Sequence, residues 1–193
     1  MSERSLPRGL SGWKQRQPLF FALLLMPDDQ QTLTALASEC CCREGLTGAP
    51  TPGPRFHLSL HAVGGFAELP DRIVSAAAKA AASVHVPAFA VAFDRTMTFQ
   101  IRQPANPFVL CAGDGMMALD SLHGQLGQAL RRVGLGQHVS RRFTPHITLL
   151  YDRRCVPERL ISPITFRFDS FVLIHSLVDP RRHVHVARWP LRS

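Results

Sequence analysis

Lysine and tyrosine are almost missing from this chain. Lys14 and Lys79 are the only lysines among 22 basic residues, so arginine carries nearly all the positive charge, and 14 acids leave a formal net charge of +8. The planar guanidinium suits bidentate contact with phosphate. A basic chain of this size points to a polyanion such as RNA, or else to a solvated arginine surface, and charge alone does not choose between them. Long apolar runs are also missing. PLFFALLLM (18–26) is far short of the roughly 20 residues that a membrane span needs, and Pro27, Asp28 and Asp29 end it. Basic KQRQ precedes it and Ala35-Leu36-Ala37 follows, the outline of a secretory leader, but a polar stretch separates the run from those alanines. A buried first strand fits better. Neither GxxxxGK[ST] nor GxGxxG occurs, so no nucleotide cofactor is indicated. Five cysteines, three of them consecutive at 40–42, suit neither a disulfide framework nor zinc-ligand spacing. They are read as idle thiols in a reducing compartment, with a cytoplasmic location and no membrane contact.

What is present is ordinary globular material: 193 residues, 46% hydrophobic and 19% charged, enough for one core. Residues 1–17 are polar and basic and read as a flexible extension, and 18–193 as a single folded unit. Strands are expected at 18–26, at 55–62 (ended by Gly64-Gly65), at 86–99 (as one strand or as two joined near Asp94), at 107–113 and at 141–152. Three further strands are expected within ITFRFDSF, FVLIHSL and RHVHVARW. Helical spacing predicts helices over 29–43, 68–84 and 115–133, with Gly134 stopping the last. Strands outnumber helices and several neighbours look like hairpins, which indicates an α+β fold with largely antiparallel sheet.

One feature stands out from this background. His-Leu-Ser-Leu at 57–60 has a second copy, His-Ile-Thr-Leu at 146–149. On a strand, period two puts each histidine and its hydroxyl residue on one face and the two apolar residues on the other. Two imidazoles suit acid–base attack on a phosphodiester: one takes a proton from the nucleophile and the other gives one to the leaving oxygen. The hydroxyls of Ser59 and Thr148 can donate to non-bridging phosphate oxygens, and such donors can stabilise charge without a metal. A zinc site is the chemical rival, with His183 or His185 as a further ligand, but no HExxH or carboxylate partner accompanies them.

The pair HLSL and HITL resembles the signature tetrapeptides of the two-histidine (2H) phosphoesterases, and within them the bacterial 2'-5' RNA ligase / RNA 2',3'-cyclic phosphodiesterase family. FFALLLMPDD, FTPHITLLYD and FDSFVLIHSLVDPRRHVHVARWPL are similar to that family's opening strand, second motif and closing hairpin, whereas 68–140 match in pattern only. The resemblance implies two pseudo-symmetric lobes of antiparallel sheet with outer helices and an active-site cleft between them. It implies His57 and His146 as general acid and base, in an order the residues leave open, and Ser59 and Thr148 as phosphate-binding hydroxyls, with no metal and no cofactor. The implied reaction is hydrolysis of an RNA 2',3'-cyclic phosphate end to a 2'-phosphate, related to reversible 2'-5' joining of tRNA halves. The implied protein is a monomer that meets RNA. The alternatives are a phosphodiesterase for a small cyclic nucleotide or sugar cyclic phosphate, and a non-catalytic module that binds RNA ends.

Two departures qualify the match. Many relatives carry Arg shortly after the second motif, where Leu150 and Tyr151 stand here. Arg153, Arg154 and Arg141 are the candidate replacements. His61 follows the first motif where an aromatic is common, and strict alternation would turn it toward the cleft as a third imidazole, either touching substrate or, as the favoured reading, solvated or structural. Phe56 and Tyr151 flank the motifs and are candidates to stack on a base, with core packing the favoured role for Phe56 and Tyr151 evenly balanced.

Overall fold

In a computed structural model of the chain, the described residues are 17–101, 104–113, 116–140, 143–177 and 182–192. The basic extension, apart from its last residue, and Arg141 lie outside them. The elements run β1 (Gln17–Leu24), α1 (Pro27–Glu44), β2 (His57–Phe66), α2 (Asp71–Ala82), β3 (Phe89–Thr98), β4 (Asn106–Ala112), α3 (Met117–Arg132), β5 (His146–Asp152), β6 (Arg159–Phe168), β7 (Ser170–Leu177) and β8 (Arg182–Pro190). No helix among the described residues is long and apolar enough to cross a membrane.

All eight strands form one antiparallel sheet in the order β6-β3-β4-β5-β2-β1-β7-β8. The sheet is two four-stranded halves joined at β5 and β2, and the joint is a single residue pair, Leu58 opposite Ile147. The two tetrapeptides therefore lie side by side and antiparallel at the seam.

One face of the sheet carries the helices and the core. β1 turns Leu19, Phe21 and Leu23 into it, β2 turns Leu58 and Leu60, and β5 turns Ile147 and Leu149, all buried. α1 starts at Pro27, whose missing N–H costs nothing at a helix N-terminus. It buries Leu33, Ala37 and Cys40 along one stripe and ends at Gly45, whose left-handed backbone (φ 65°) closes the last turn. α3 buries Leu119, Leu122, Leu126 and Leu130 at helical spacing.

The structure corrects several expected boundaries. Gly64 and Gly65 do not end the second strand, because β1 continues alongside and pairs Leu19 with Gly64 and Pro18 with Gly65. The 86–99 segment is one strand, with a register shift beside Asp94 in place of a turn. β5 begins at His146 instead of 141, and the β6/β7 boundary falls at Asp169.

Candidate active site

The two tetrapeptides share a local geometry. The β1–β2 register steps from Phe21 opposite His61 to Ala22 opposite Ser59, leaving Leu60 as an extra residue. The β4–β5 register steps from Phe108 opposite Leu150 to Val109 opposite Thr148, leaving Leu149 as an extra residue. Each motif therefore ends in a β-bulge at its fourth residue. A bulge lets two consecutive side chains point the same way and resets the alternation beyond it. Before the bulge, His57 and Ser59, and likewise His146 and Thr148, share the face opposite the core. Beyond it, Leu60 with His61 and Leu149 with Leu150 are buried as consecutive pairs.

This overturns the cleft position expected for His61. It is 3% exposed, and its Nε2–H donates to the main-chain carbonyl of His123 at 2.8 Å. Its ring lies 3.9 Å from that of His123, which in turn stacks on Phe143 at 4.0 Å. Burial holds both imidazoles below their usual pKa, with His123 near 4. Phe56 is a core residue, 1% exposed, which is the packing role its sequence position also offered. Tyr151 lies beyond the β5 bulge, on the face of His146 and Thr148, and is 53% exposed. Arg153 and Arg154 are exposed in the turn after β5.

The motif histidines are held alike. His57 Nδ1 lies 2.7 Å from the carbonyl oxygen of Arg55, and His146 Nδ1 lies 2.7 Å from that of Thr144. A carbonyl only accepts, so each Nδ1 carries the proton and donates. Each Nε2 has no partner among the described residues and remains to accept or deliver a proton. Continuing the register outward from Leu58 and Ile147 sets His57 across from Thr148 and Ser59 across from His146. Each imidazole thus has one hydroxyl on its own strand and another across the seam.

The surroundings of the two rings differ. His146 meets Phe99 edge-on, with centroids 4.9 Å apart. His57 meets Phe20 at 5.1 Å and His183 of β8 at 5.1 Å. In a flat sheet β2 and β8 would stand three strand spacings apart, about 14 Å. The ring contact shows that this half is curled, so that a side chain of β8 meets one of β2. Burial lowers the His57 pKa, the Arg55 carbonyl opposes that shift, and the charges of His146 and Arg55 add to it. Burial and the charges of His57, Arg55 and His185 push His183 down to about 4. At neutral pH both are neutral, and a neutral imidazole accepts a proton.

Arg55 and His183 are site neighbours that reading the sequence for catalysis missed. Arg55 had a faint signal, since it stands two residues before His57. His183 offered only the signal of a rival zinc ligand, because its place beside the motif depends on the curl of β8. Cys111, the ladder partner of His146, is buried, and its pKa is pushed up to about 12, so it stays a thiol at neutral pH. Among the described residues, no group of three or more His, Cys, Asp or Glu is placed to hold a metal ion.

Asp152 anchors the end of β5. One carboxylate oxygen accepts from the backbone N–H groups of Thr47 and Gly48, at 2.6 and 2.7 Å, and the other from that of Arg154 at 2.8 Å. This fixes the loop after α1 against β5, where Thr51 N–H also donates to the Leu149 carbonyl. Gly48 is required there, because a Cβ would stand 2.0 Å from the Tyr151 carbonyl oxygen.

Residues 42–180 match the family described as the 2'-5' RNA ligase superfamily. No curated protein matches the chain by sequence. Among solved structures, LigT of E. coli in its apo form superposes with a TM-score of 0.69 at 24% identity, over 92% of this chain and 99% of that one. TT0787 of Thermus thermophilus gives a TM-score of 0.70 at 19% identity, over 91% and 98%. The fold is theirs, and with the family match covering most of its length, the chain belongs to the 2'-5' RNA ligase superfamily, the two-histidine phosphoesterases.

Proposed function

We propose that this protein opens RNA 2',3'-cyclic phosphate ends to 2'-phosphates, with His57 and His146 as the acid–base pair. The observation that carries the reading is the matched geometry of the two imidazoles. On adjacent central strands, each donates Nδ1–H to a carbonyl two residues back and leaves Nε2 without a partner among the described residues, on the sheet face that also carries Ser59 and Thr148.

One imidazole accepts a proton from water as the water oxygen bonds to phosphorus. The bond from phosphorus to the 3'-oxygen breaks, and the other imidazole delivers its proton to that oxygen. The phosphate is left on the 2'-oxygen, and the pair has exchanged protonation states, ready for the reverse step. With a 5'-hydroxyl in place of water, the same step joins two RNA ends through a 2'-5' bond. Ser59 and Thr148 donate to the non-bridging oxygens as charge grows there. The near-symmetry of the pair lets either histidine serve in either role. LigT, which shares this fold, has been crystallised with 3'-AMP and with phosphate, in keeping with a nucleotide phosphate as ligand.

The test is hydrolysis of a short RNA ending in a 2',3'-cyclic phosphate, with EDTA present, by the wild type, His57→Ala and His146→Ala. The expected result is wild-type turnover to the 2'-phosphate and a loss of about 10²–10⁴-fold in each variant. Near-wild-type activity in either variant, or a 3'-phosphate product, refutes the assignment.

A further inference from the structure

On the side of His57 facing β8, the cleft has buried polar groups that the acid–base chemistry does not use, one on a guanidinium and one on a neutral imidazole. Arg55 Nε is buried and has no hydrogen-bond partner among the described residues, and the same is true of His183 Nδ1. His183 stands edge-on to His57 with ring centroids 5.1 Å apart, and Arg55 stands two residues before His57 in the chain. An unpaired buried donor is costly in the free protein, and one on a guanidinium is a standing invitation to an anion.

A cavity of about 300 Å³ opens beside this pair. Leu24, the ladder partner of His57, lines it together with Pro54 and Phe56, the two residues flanking Arg55. His185 and Arg188 of β8 close it, with Arg167 and Asp169 farther along. Its floor is apolar and most of its charged rim is cationic. That combination suits a flat base with a phosphate attached.

We propose that Arg55, His183, His185 and Arg188 form a second phosphate subsite. It holds the phosphodiester next to the reacting end, while the neighbouring cavity receives the adjoining base, so that an RNA chain is selected over a single cyclic nucleotide. The idea deepens the function proposed above and rests on it for the position of the reacting phosphate, between His57 and His146. The subsite lies where β8 meets His57, at the ring contact between His57 and His183.

The experiment compares kcat/KM on a nucleoside 2',3'-cyclic monophosphate, which has one phosphate, with that on a trinucleotide bearing the same cyclic end. Arg55→Gln and Arg188→Gln are tested separately, so that misfolding of one leaves the other informative. The wild type is expected to prefer the trinucleotide, and each variant to shrink that preference about tenfold, as expected for a lost charged hydrogen bond. Arg55→Lys, which keeps the charge without the fork, is expected to recover part of it. Equal losses on both substrates would place Arg55 on the reacting phosphate and overturn the subsite. An unchanged preference in both variants would overturn it too.

Binding of a fluorescent trinucleotide with a 2'-phosphate end, followed against salt, gives a readout free of turnover. Each variant should lose affinity and flatten the salt slope by about one ion. If the wild type hydrolyses neither cyclic phosphate yet binding shows these losses, the proposed function fails and the subsite stands. If the variants bind like wild type, the subsite fails whatever the catalysis.

Discussion

The two halves of the sheet repeat one device and surround it differently. In both, a His-x-Ser/Thr-Leu stretch lies at the seam, Nδ1 is held by the carbonyl two residues back, and a bulge falls on the closing leucine. Immediately beyond the bulge the halves diverge. His61, Ala62 and Val63 stand where the other half has Leu150, Tyr151 and Asp152. The first half buries an imidazole and leaves a small residue at the surface. The second buries a leucine and a carboxylate and exposes the only tyrosine. The half carrying His57 also curls, bringing His183 to its imidazole, whereas His146 meets only Phe99 among the ring contacts of the described residues. Proton transfer in both directions calls for two equivalent imidazoles, and the shared device supplies them. Recognition of an asymmetric substrate calls for unlike walls, and the residues around the device supply those.

The sharpest way to break the comparison is at Asp152. Its counterpart Val63 sits in an ordinary apolar site, but Asp152→Ala would strand three backbone N–H groups. The expected cost is about 2–4 kcal/mol, read from urea unfolding, with the loop after α1 losing hydrogen-exchange protection. A cost below about 1 kcal/mol, with the loop's exchange protection unchanged, would mean that the carboxylate does not hold the loop.

The hydroxyls test the equivalence of the halves directly. Ser59→Ala and Thr148→Ala each remove a donor to a charged oxygen worth about 1.5–3 kcal/mol, so kcat should fall about 10–100-fold in both with stability little changed. A loss confined to one would show that the phosphate is held by one half alone.

The smallest effect concerns His61. Folding lowers the pKa values of His61 and His123, the latter to about 4. The unfolded chain therefore binds more protons between about pH 6.5 and 4, and stability is full above that window and falls as pH drops through it. His61→Leu gives this half the residue of the other. It leaves the His123 carbonyl without its donor, at about 1 kcal/mol near pH 7, and flattens the loss below pH 6.5. Unfolding midpoints measured from pH 7.5 to 4.5 check both signs, and an unaltered pH slope would refute a role for this imidazole in acid sensitivity.

Most of the element order was legible in the chain, because apolar side chains at period two or at helical spacing reflect burial on one face. The paired motifs were legible for the same reason: HLSL and HITL already separate a polar face from an apolar one. Strict alternation then failed at Leu60, since nothing in the local sequence distinguishes a bulge from a continuing strand. The registers of β1 and β4 set the bulges, and with them the burial of His61 and the exposure of Tyr151.

What the sequence by itself determined is the chemistry on offer: two imidazoles, each with a hydroxyl one strand step away, and an arginine-rich chain to meet phosphate. Those follow from residue identity and spacing along a strand, which are local properties. What only the tertiary structure decided is the company each imidazole keeps. Leu58 meets Ile147 across the seam, and His183 meets His57 over a distance of 126 residues in the chain. Such contacts depend on how strands register, bulge and curl against one another, and those are set by packing over the whole sheet.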